Sequence, residues 1–224
     1  MHLLLRPAHL ATWAALTWVA PTAIASEIDA LRIDAWEFVS PAATSIEAVV
    51  TPTADGSWQL AGQPIGYLQT RVSYTNYELH AEWRWTAKPG NAGILLHIDS
   101  GPIDRKTWPR CLQVQTKHSR AGDVLPMAGA RFAEPFTSPP DAKTPQLDRQ
   151  AASSEKPAGE WNACDITCRE GTVDVCINGV RQNRVSRCVP ATGRIGFQFE
   201  GAPYELRNVR IEPEPHSPAV PPQR

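Results

Sequence analysis

The chain has 224 residues, of which 21 are proline and 14 are glycine, and its 22 basic and 23 acidic residues give a formal charge of −1. This length allows one sizeable core, whereas the high proline content argues against a coiled coil or a helical bundle. No run of Lys and Arg is dense enough to follow a phosphate backbone, so nucleic acid is not expected as a partner.

Residues 1–25 have the features of a secretory signal peptide. Arg6 precedes an apolar stretch over residues 10–20 that is too short to span a bilayer, and Ala23-Ile24-Ala25 is a small-x-small cleavage sequence. We therefore expect a mature chain that begins at Ser26, is exported to the periplasm or the extracellular space, and keeps no membrane-spanning segment. An uncleaved N-terminal anchor is the alternative.

Five cysteines lie in the predicted mature part, at positions 111, 164, 168, 176 and 188. An exported domain meets an oxidising compartment in which disulfides persist, but the spacing alone fixes no connectivity. If residues 169–171 form the loop of a hairpin, Cys164 faces Cys176, and this pair is the first to test. None of the spacings matches a zinc ribbon.

Short segments with alternating apolar and polar residues, bounded by Gly, Pro, Asn and Asp, recur along the chain and predict an all-β sandwich of antiparallel strands. Strands are expected at residues 77–85, 93–99, 112–116, 161–169, 173–177, 194–199 and 204–211. Asn178-Gly179 predicts a tight turn. A single domain would cover residues 26–211, with a long exposed loop at 133–158 and a proline-rich disordered tail at 212–224.

Three of these strands carry polar side chains on one face. Alternation in 77–85 puts Glu82 and Arg84 opposite the apolar residues. In 93–99 it predicts that Ile98 points into the core and His97 away from it. The third strand, 112–116, presents two glutamines at positions 113 and 115. If the strands are neighbours, their polar faces form one surface.

Several blocks of the sequence, taken in chain order, give more specific information about the fold and the function. They are YELHAEWR at 77–84 with GNAGILLH at 90–97, WPRCLQVQ at 108–115 with AGD at 121–123, GEWN at 159–162 with NGV at 178–180, and GRIGFQ at 193–198 with LRNVRI at 206–211. Together they resemble the 3-keto-disaccharide hydrolase domain family over roughly residues 70–211. The resemblance implies a concanavalin A-like jelly-roll sandwich of two antiparallel sheets, with a carbohydrate ligand over the concave sheet.

The family activity implied by this resemblance is cleavage of glycosides whose sugar carries a ketone at carbon 3. The ketone acidifies the hydrogen on carbon 2, so a base can remove it, the aglycone leaves carbon 1, and water then adds. The family usually has Glu where this chain has Gln113, and an amide cannot exchange a proton as a carboxyl group does. A non-catalytic carbohydrate-binding module on the same sandwich is therefore the alternative.

Candidate site residues follow from the predicted polar surface and the family blocks. The expected catalytic pair is His97 as base, because imidazole titrates near neutral pH, with Glu82 as a second acid/base group. Residues expected to hold the sugar are Arg84, Trp108, Gln113, Gln115 and Asp123. Each also has an ordinary structural explanation: a solvated strand histidine, a surface ion pair, a core tryptophan or a turn aspartate.

Other site types are less well supported. His97, Asp99, His118 and Asp123 could hold a divalent cation, although their spacing is not a standard ligand pattern, and no other cofactor is expected. A retaining glycosidase needs two close carboxylates, whereas Glu78 and Glu82 on one strand are ~13 Å apart. A structural protein of the cell envelope is the third class considered.

Overall fold

The computed structural model describes residues 28–214, and this part of the chain forms two antiparallel β-sheets packed face to face. Two short 3-10 helices, Ile33–Ala35 and Ile46–Ala48, are its only helical elements. The strands are β1 Ile28–Asp29, β2 Trp36–Val39, β3 Val50–Pro52, β4 Trp58–Leu60, β5 Gly66–Thr70, β6 Tyr77–Trp85, β7 Gly93–Asp104, β8 Trp108–Gln115, β9 Val124–Met127, β10 Asn162–Arg169, β11 Thr172–Ile177, β12 Val180–Val185, β13 Arg194–Phe199 and β14 Tyr204–Pro213.

The strands divide between a larger and a smaller sheet. The eight-stranded sheet has the order β12-β11-β10-β6-β14-β4-β3, with β1 paired to β14, and the six-stranded sheet has the order β2-β5-β13-β7-β8-β9. The predicted all-β sandwich is therefore confirmed. Consecutive strands β6 and β7 belong to different sheets, which separates side chains that are close in sequence.

The core lies between the sheets and follows the predicted alternation. All five inward residues of β6 are buried: Tyr77, Leu79, Ala81, Trp83 and Trp85. Leu112 and Val114 of β8 belong to the same core from the other sheet, as predicted. Each large apolar side chain buried in this way contributes about 1.5–3 kcal/mol to folding.

A β-bulge in β7 overturns the predicted parity of its second half. Gly196 pairs with Leu95 but Arg194 pairs with Ile98, so β7 holds one extra residue in this stretch. His97 takes up the irregularity with a positive φ of 56°. The two residues beyond Leu96 consequently exchange faces: His97 contacts Tyr77 of the core, and Ile98 packs with Leu95 on the outer face.

The predicted pairing of Cys164 with Cys176 is wrong by one residue of register. Arg169 pairs with Thr172, so the β10–β11 loop has two residues rather than three. Cys164 therefore lies opposite Ile177 and points inward, whereas Cys176 lies opposite Asp165. A shift of one residue reverses the face of every side chain. All five cysteines are free thiols.

The predicted domain limits change at the C-terminal end. β14 continues to Pro213, and Glu214 forms an ion pair with Arg169, so the sheet extends into the predicted tail. Residues 133–158 contain no strand, but they are not wholly exposed, because Leu147 is buried and pairs with Val124. The predicted signal peptide and residues 215–224 lie outside the described residues. Within residues 28–214 no helix is long and apolar enough to span a membrane.

Candidate functional site

A groove of about 620 Å³ lies on the outer face of the six-stranded sheet. Strands β13, β8 and β9 form its floor, and the end of β7 and the segment 128–146 form its walls. Trp108, Gln113 and Gln115 line it, so three of the predicted sugar-binding residues do share one site. Its volume is in the range of about 300–1,000 Å³ typical of small-molecule sites.

The floor of the groove is a chain of amide side chains. Gln113 Nε2 donates to Gln115 Oε1 and to Gln198 Oε1, each at 2.9 Å. Gly93 belongs to β7, the strand between β8 and β13. A Cβ at this position would lie 2.4 Å from Gln113 Nε2. The glycine therefore leaves the space in which Gln113 bridges its two neighbours. Both hydrogens of Gln113 Nε2 are used in this way, so Gln113 can only accept from a sugar hydroxyl, whereas Nε2 of Gln115 and of Gln198 can still donate.

The amide chain ends on a carboxyl group that the sequence reasoning missed. Glu200 Oε2 accepts hydrogen bonds from Gln198 Nε2 at 2.8 Å and from Asn91 Nδ2 at 2.7 Å. Burial raises the pKa of Glu200 above its ordinary range, and the positive charges of Lys117 and Arg105 oppose this only in part. Glu200 is therefore a stronger base than an exposed carboxylate.

Asn91 presents a further unsatisfied group at the groove. Its Oδ1 is buried and has no hydrogen-bond partner within residues 28–214. A buried acceptor without a partner is costly, and a ligand hydroxyl would satisfy it. Asn91 lies just before β7 and belongs to the GNAGILLH block at 90–97. Local pattern alone does not distinguish it from an ordinary loop asparagine, so it was not among the predicted site residues.

Glu82 and Arg84 lie on the outer face of the other sheet, so the predicted single polar surface is wrong. Glu82 accepts hydrogen bonds from Arg207 Nε and Asn208 Nδ2, each at 2.7 Å. Burial opposes the charge of Glu82, but these hydrogen bonds outweigh it and lower its pKa. Arg84 forms an ion pair with Glu205. These contacts describe a structural ionic network, which was the alternative interpretation of this pair.

The same face carries an aromatic ring between charges. The guanidinium carbons of Arg84 and Arg207 lie 4.6 and 4.1 Å from the ring centroid of Trp161. Cation–π contacts of this kind stabilise partly exposed pairs by about 0.5–1 kcal/mol. Arg84 is therefore engaged by Glu205 and Trp161, and Arg207 by Glu82 and Trp161.

His97 is in the interior, where it cannot reach the groove. Its exposed fraction is 1%, and neither ring nitrogen makes a hydrogen bond of normal geometry with a described residue. Burial lowers the pKa of His97 to about 4, and the nearby Pro190 carbonyl opposes this only in part. The bulge in β7 is the reason that the predicted base points away from the ligand face.

Asp123 is also outside the groove and holds a loop. It is 1% exposed, accepts a hydrogen bond from the backbone N–H of Arg149 at 2.9 Å, and lies 3.7 Å from Arg120. Burial raises its pKa. His118 pairs with Glu155 instead. Within residues 28–214 no three His, Cys, Asp or Glu side chains converge to hold a metal ion.

Solved structures similar to this chain share its sandwich. A candidate glycosyl hydrolase from Parabacteroides distasonis matches with a TM-score of 0.57 and 18% identity over 81% of this chain and 89% of that one. A carbohydrate-binding module from Bacillus subtilis matches with a TM-score of 0.55 and 11% identity over 80% and 95%. A β-glucanase from Bacillus licheniformis matches with a TM-score of 0.52 and 10% identity over 80% and 92%. At these identities the likeness establishes the jelly-roll fold.

No curated protein sequence matches the chain. A family profile matches residues 27–212, which is most of the chain and includes both sheets except for Pro213, the last residue of β14. Its description is a 3-keto-alpha-glucoside-1,2-lyase-like domain. The resemblance expected from the sequence blocks is thereby confirmed, and the chain belongs to the family of 3-keto-alpha-glucoside-1,2-lyase-like domains.

Proposed function

We propose that the protein cleaves glycosides oxidised at carbon 3, in the groove on the outer face of the six-stranded sheet, with Glu200 as the acid/base group. The observation that carries the proposal is the chain of hydrogen bonds from Gln113 through Gln198 to a half-buried carboxylate with a raised pKa. Family membership supports the substrate class, because the family description names a 3-keto-glucoside.

The reaction requires one base and a polarised ketone. Glu200 takes the hydrogen from carbon 2 as a proton, and the electron pair of that bond forms a double bond between carbons 1 and 2. The bond from carbon 1 to the aglycone oxygen breaks, and the proton held by Glu200 passes to that oxygen, so the aglycone leaves as an alcohol and the Glu200 carboxylate is regenerated. Water then adds to the double bond. Both hydrogen bonds to Glu200 use Oε2, so Oε1 is the oxygen available for the proton.

Two cations at the groove suit the charge that develops on the ketone oxygen. Arg105 and Lys117 line the groove, and both act electrostatically on Glu200. A fixed positive charge beside a developing enolate lowers the barrier, and loss of one such donor typically costs about 10²–10³-fold in rate. Gln113, Gln115 and Gln198 would hold the sugar hydroxyls through their amides.

Gln113 weakens the proposal less than the sequence alone suggests. Relatives usually carry Glu at this position, and its replacement by an amide favours a pure binding module. Glu200 restores a carboxyl group to the same hydrogen-bonded chain, beyond Gln198. A non-catalytic carbohydrate-binding module remains the second candidate because of this one substitution, and the fold of the Bacillus subtilis module is compatible with it.

The test is sugar release from a 3-keto-disaccharide and from its unoxidised parent, with and without a chelator. We expect release from the keto compound alone, since only its carbon 2 hydrogen is acidic. Loss of activity on chelation would assign ketone polarisation to a metal ion rather than to Arg105 and Lys117. Sugar binding without release from either compound would contradict the proposal and support the binding module.

We also propose that the protein is exported, because residues 1–25 have the features of a secretory signal peptide. A signal peptide of this kind would deliver the domain to a compartment where small glycosides arrive from outside the cell. The first residue of the protein recovered from the periplasm or the medium should be Ser26. Recovery of an intact N-terminus in the membrane fraction would instead support the uncleaved anchor.

A further inference from the structure

The groove changes from polar to apolar across the sheet. Its β13 and β8 side is lined by Gln198, Gln113 and Gln115. Its β9 side is lined by Leu125 and by the partly buried residues that follow it, Pro126, Met127 and Ala128. β9 is the edge strand of this sheet, so these residues form an apolar strip along one side of the groove, here called the apolar wall. Lys143, Thr144 and Gln146 also line the groove. A ligand that fits both sides has a hydroxyl-rich part and an apolar part.

Phe136 adds an exposed aromatic ring to the apolar wall. It is 45% exposed, and few large apolar side chains of the described residues are so open to solvent. Its ring packs edge-to-face on Phe132 at 5.4 Å, and Phe132 is nearly buried. Backbone hydrogen bonds from Thr137 and Ser138 to Gln146 close its loop. The ring is therefore held at the groove with surface left for a partner.

The groove is short because an apolar cluster ends it. Leu95 and Cys111 lie on the outer face of the sheet, yet they are fully buried among Tyr67, Ile98 and Trp108. A second depression, of about 330 Å³, lies beyond this cluster and shares no lining residue with the groove. A chain of several sugars cannot run across the face without crossing the cluster.

We propose that the natural substrate is a small glycoside with one keto-sugar and an apolar, aromatic aglycone, and that Phe136 determines this specificity by contacting the aglycone. The inference rests on the proposed function for the sugar half of the groove. Amides and Glu200 hold the sugar, and the β9 wall with Phe136 covers the aglycone. Aromatic rings in such contacts prefer edge-to-face or offset packing, which an exposed edge of Phe136 permits.

The test measures binding, so it does not depend on turnover. Phenyl and methyl glucosides in the unoxidised form, which the proposed chemistry does not cleave, are titrated calorimetrically, each as both anomers, into the wild-type protein, Phe136→Ala and Ile65→Ala. Ile65 has the same exposed fraction as Phe136, 45%, but does not line the groove, so it controls for loss of a surface apolar side chain. Thermal unfolding verifies that each variant is folded.

We expect the wild-type protein and Ile65→Ala to bind the phenyl glycoside about tenfold more tightly than the methyl glycoside. Phe136→Ala should lose most of this preference while its affinity for the methyl glycoside stays unchanged. Equal affinity of the wild-type protein for both glycosides overturns the inference alone, as does an equal weakening of both in Phe136→Ala. Failure to bind either glycoside, together with no sugar release, overturns the proposed function and the inference with it.

Discussion

His97 of β7 and Glu200, directly after β13, are both titratable, and their surroundings give them opposite roles. Glu200 keeps contact with the groove and gains basicity from partial burial. His97 is enclosed by the core and is neutral at physiological pH. Residue type alone favoured His97 as the base, since imidazole titrates near pH 7. Which of them faces the ligand depends on backbone geometry that residue type does not reveal.

His97→Phe tests the buried, neutral histidine. Its pKa is about 4 in the folded protein against an ordinary 6.5, so the unfolded chain binds the proton more tightly. The stability from keeping His97 neutral is complete above about pH 6.5 and is lost as the pH falls toward 4, by about 2 kcal/mol at pH 5. Phe retains an aromatic ring against Tyr77 and cannot titrate.

Urea denaturation of both proteins at pH 7.5 and pH 5 is the measurement. The drop in unfolding free energy should be smaller in His97→Phe by about 2 kcal/mol, and sugar release should persist. An equal drop in both proteins would show that His97 does not titrate as described. A folded variant without sugar release would restore His97 as the catalytic base.

At the scale of the strand, regular alternation was predictable and its interruptions were not. The long strand β6 carries a period-two pattern because one of its faces packs on the core. β14 does not keep the pattern, because its pairing with β6 shifts register between Arg207 and Arg210. The segment Leu95-Leu96-His97-Ile98 is nearly all apolar, so no pattern marks the bulge within it. The two-residue β10–β11 loop was missed in the same way, because Glu170 takes the positive φ that is expected of glycine or asparagine.

Gly93→Ala tests the dependence of the amide chain on a missing side chain. The added Cβ would meet the end of the flexible Gln113 side chain at 2.4 Å, and Gly93 has an extended backbone that alanine accepts. Gln113 should swing away at little cost to the fold. We expect the affinity for a 3-keto-glucoside to fall at least about tenfold, since two buried hydrogen bonds are disrupted.

Gly196→Ala is the matched comparison on the same face. There the added Cβ meets the backbone oxygen of Leu68 at 2.5 Å, which cannot move aside without shifting a strand. Thermal unfolding should show a loss of roughly 1–3 kcal/mol in Gly196→Ala and a far smaller loss in Gly93→Ala. Unchanged sugar affinity in Gly93→Ala would mean that the Gln113 bridge plays no part in binding.

At the scale of the whole molecule, sequence pattern and family blocks indicated the sandwich but not the allocation of strands to sheets. Glu82 and Gln113 both stand on polar faces, yet β6 pairs with β10 and β14 while β8 pairs with β7 and β9. Such pairings join segments far apart in the chain, and local alternation carries no information about them. Glu200 was missed because it follows β13 in a turn, where nothing local distinguishes a catalytic carboxylate from a solvated one.

The arrangement of cysteines across the two sheets makes a prediction about the whole protein. Four of the five thiols are buried, and only Cys176 is partly exposed. A disulfide between Cys164 and Cys176 is excluded by their opposite faces. Titration of the native protein with an aromatic disulfide reagent should label one thiol, at Cys176, and all five after denaturation. Absence of label in Cys176→Ser would identify the site, and fewer than five thiols after denaturation would contradict the free-thiol state.

The central claim is that the reaction takes place in the groove of the six-stranded sheet and depends on Glu200. The most direct test is kcat for a 3-keto-glucoside in the wild-type protein, Glu200→Gln and Glu82→Gln, because each change removes one carboxylate with little change of shape. The account predicts a loss of about 100-fold or more in Glu200→Gln and a change within about twofold in Glu82→Gln. An active Glu200→Gln beside a folded but inactive Glu82→Gln would contradict it and would place the chemistry on the opposite sheet.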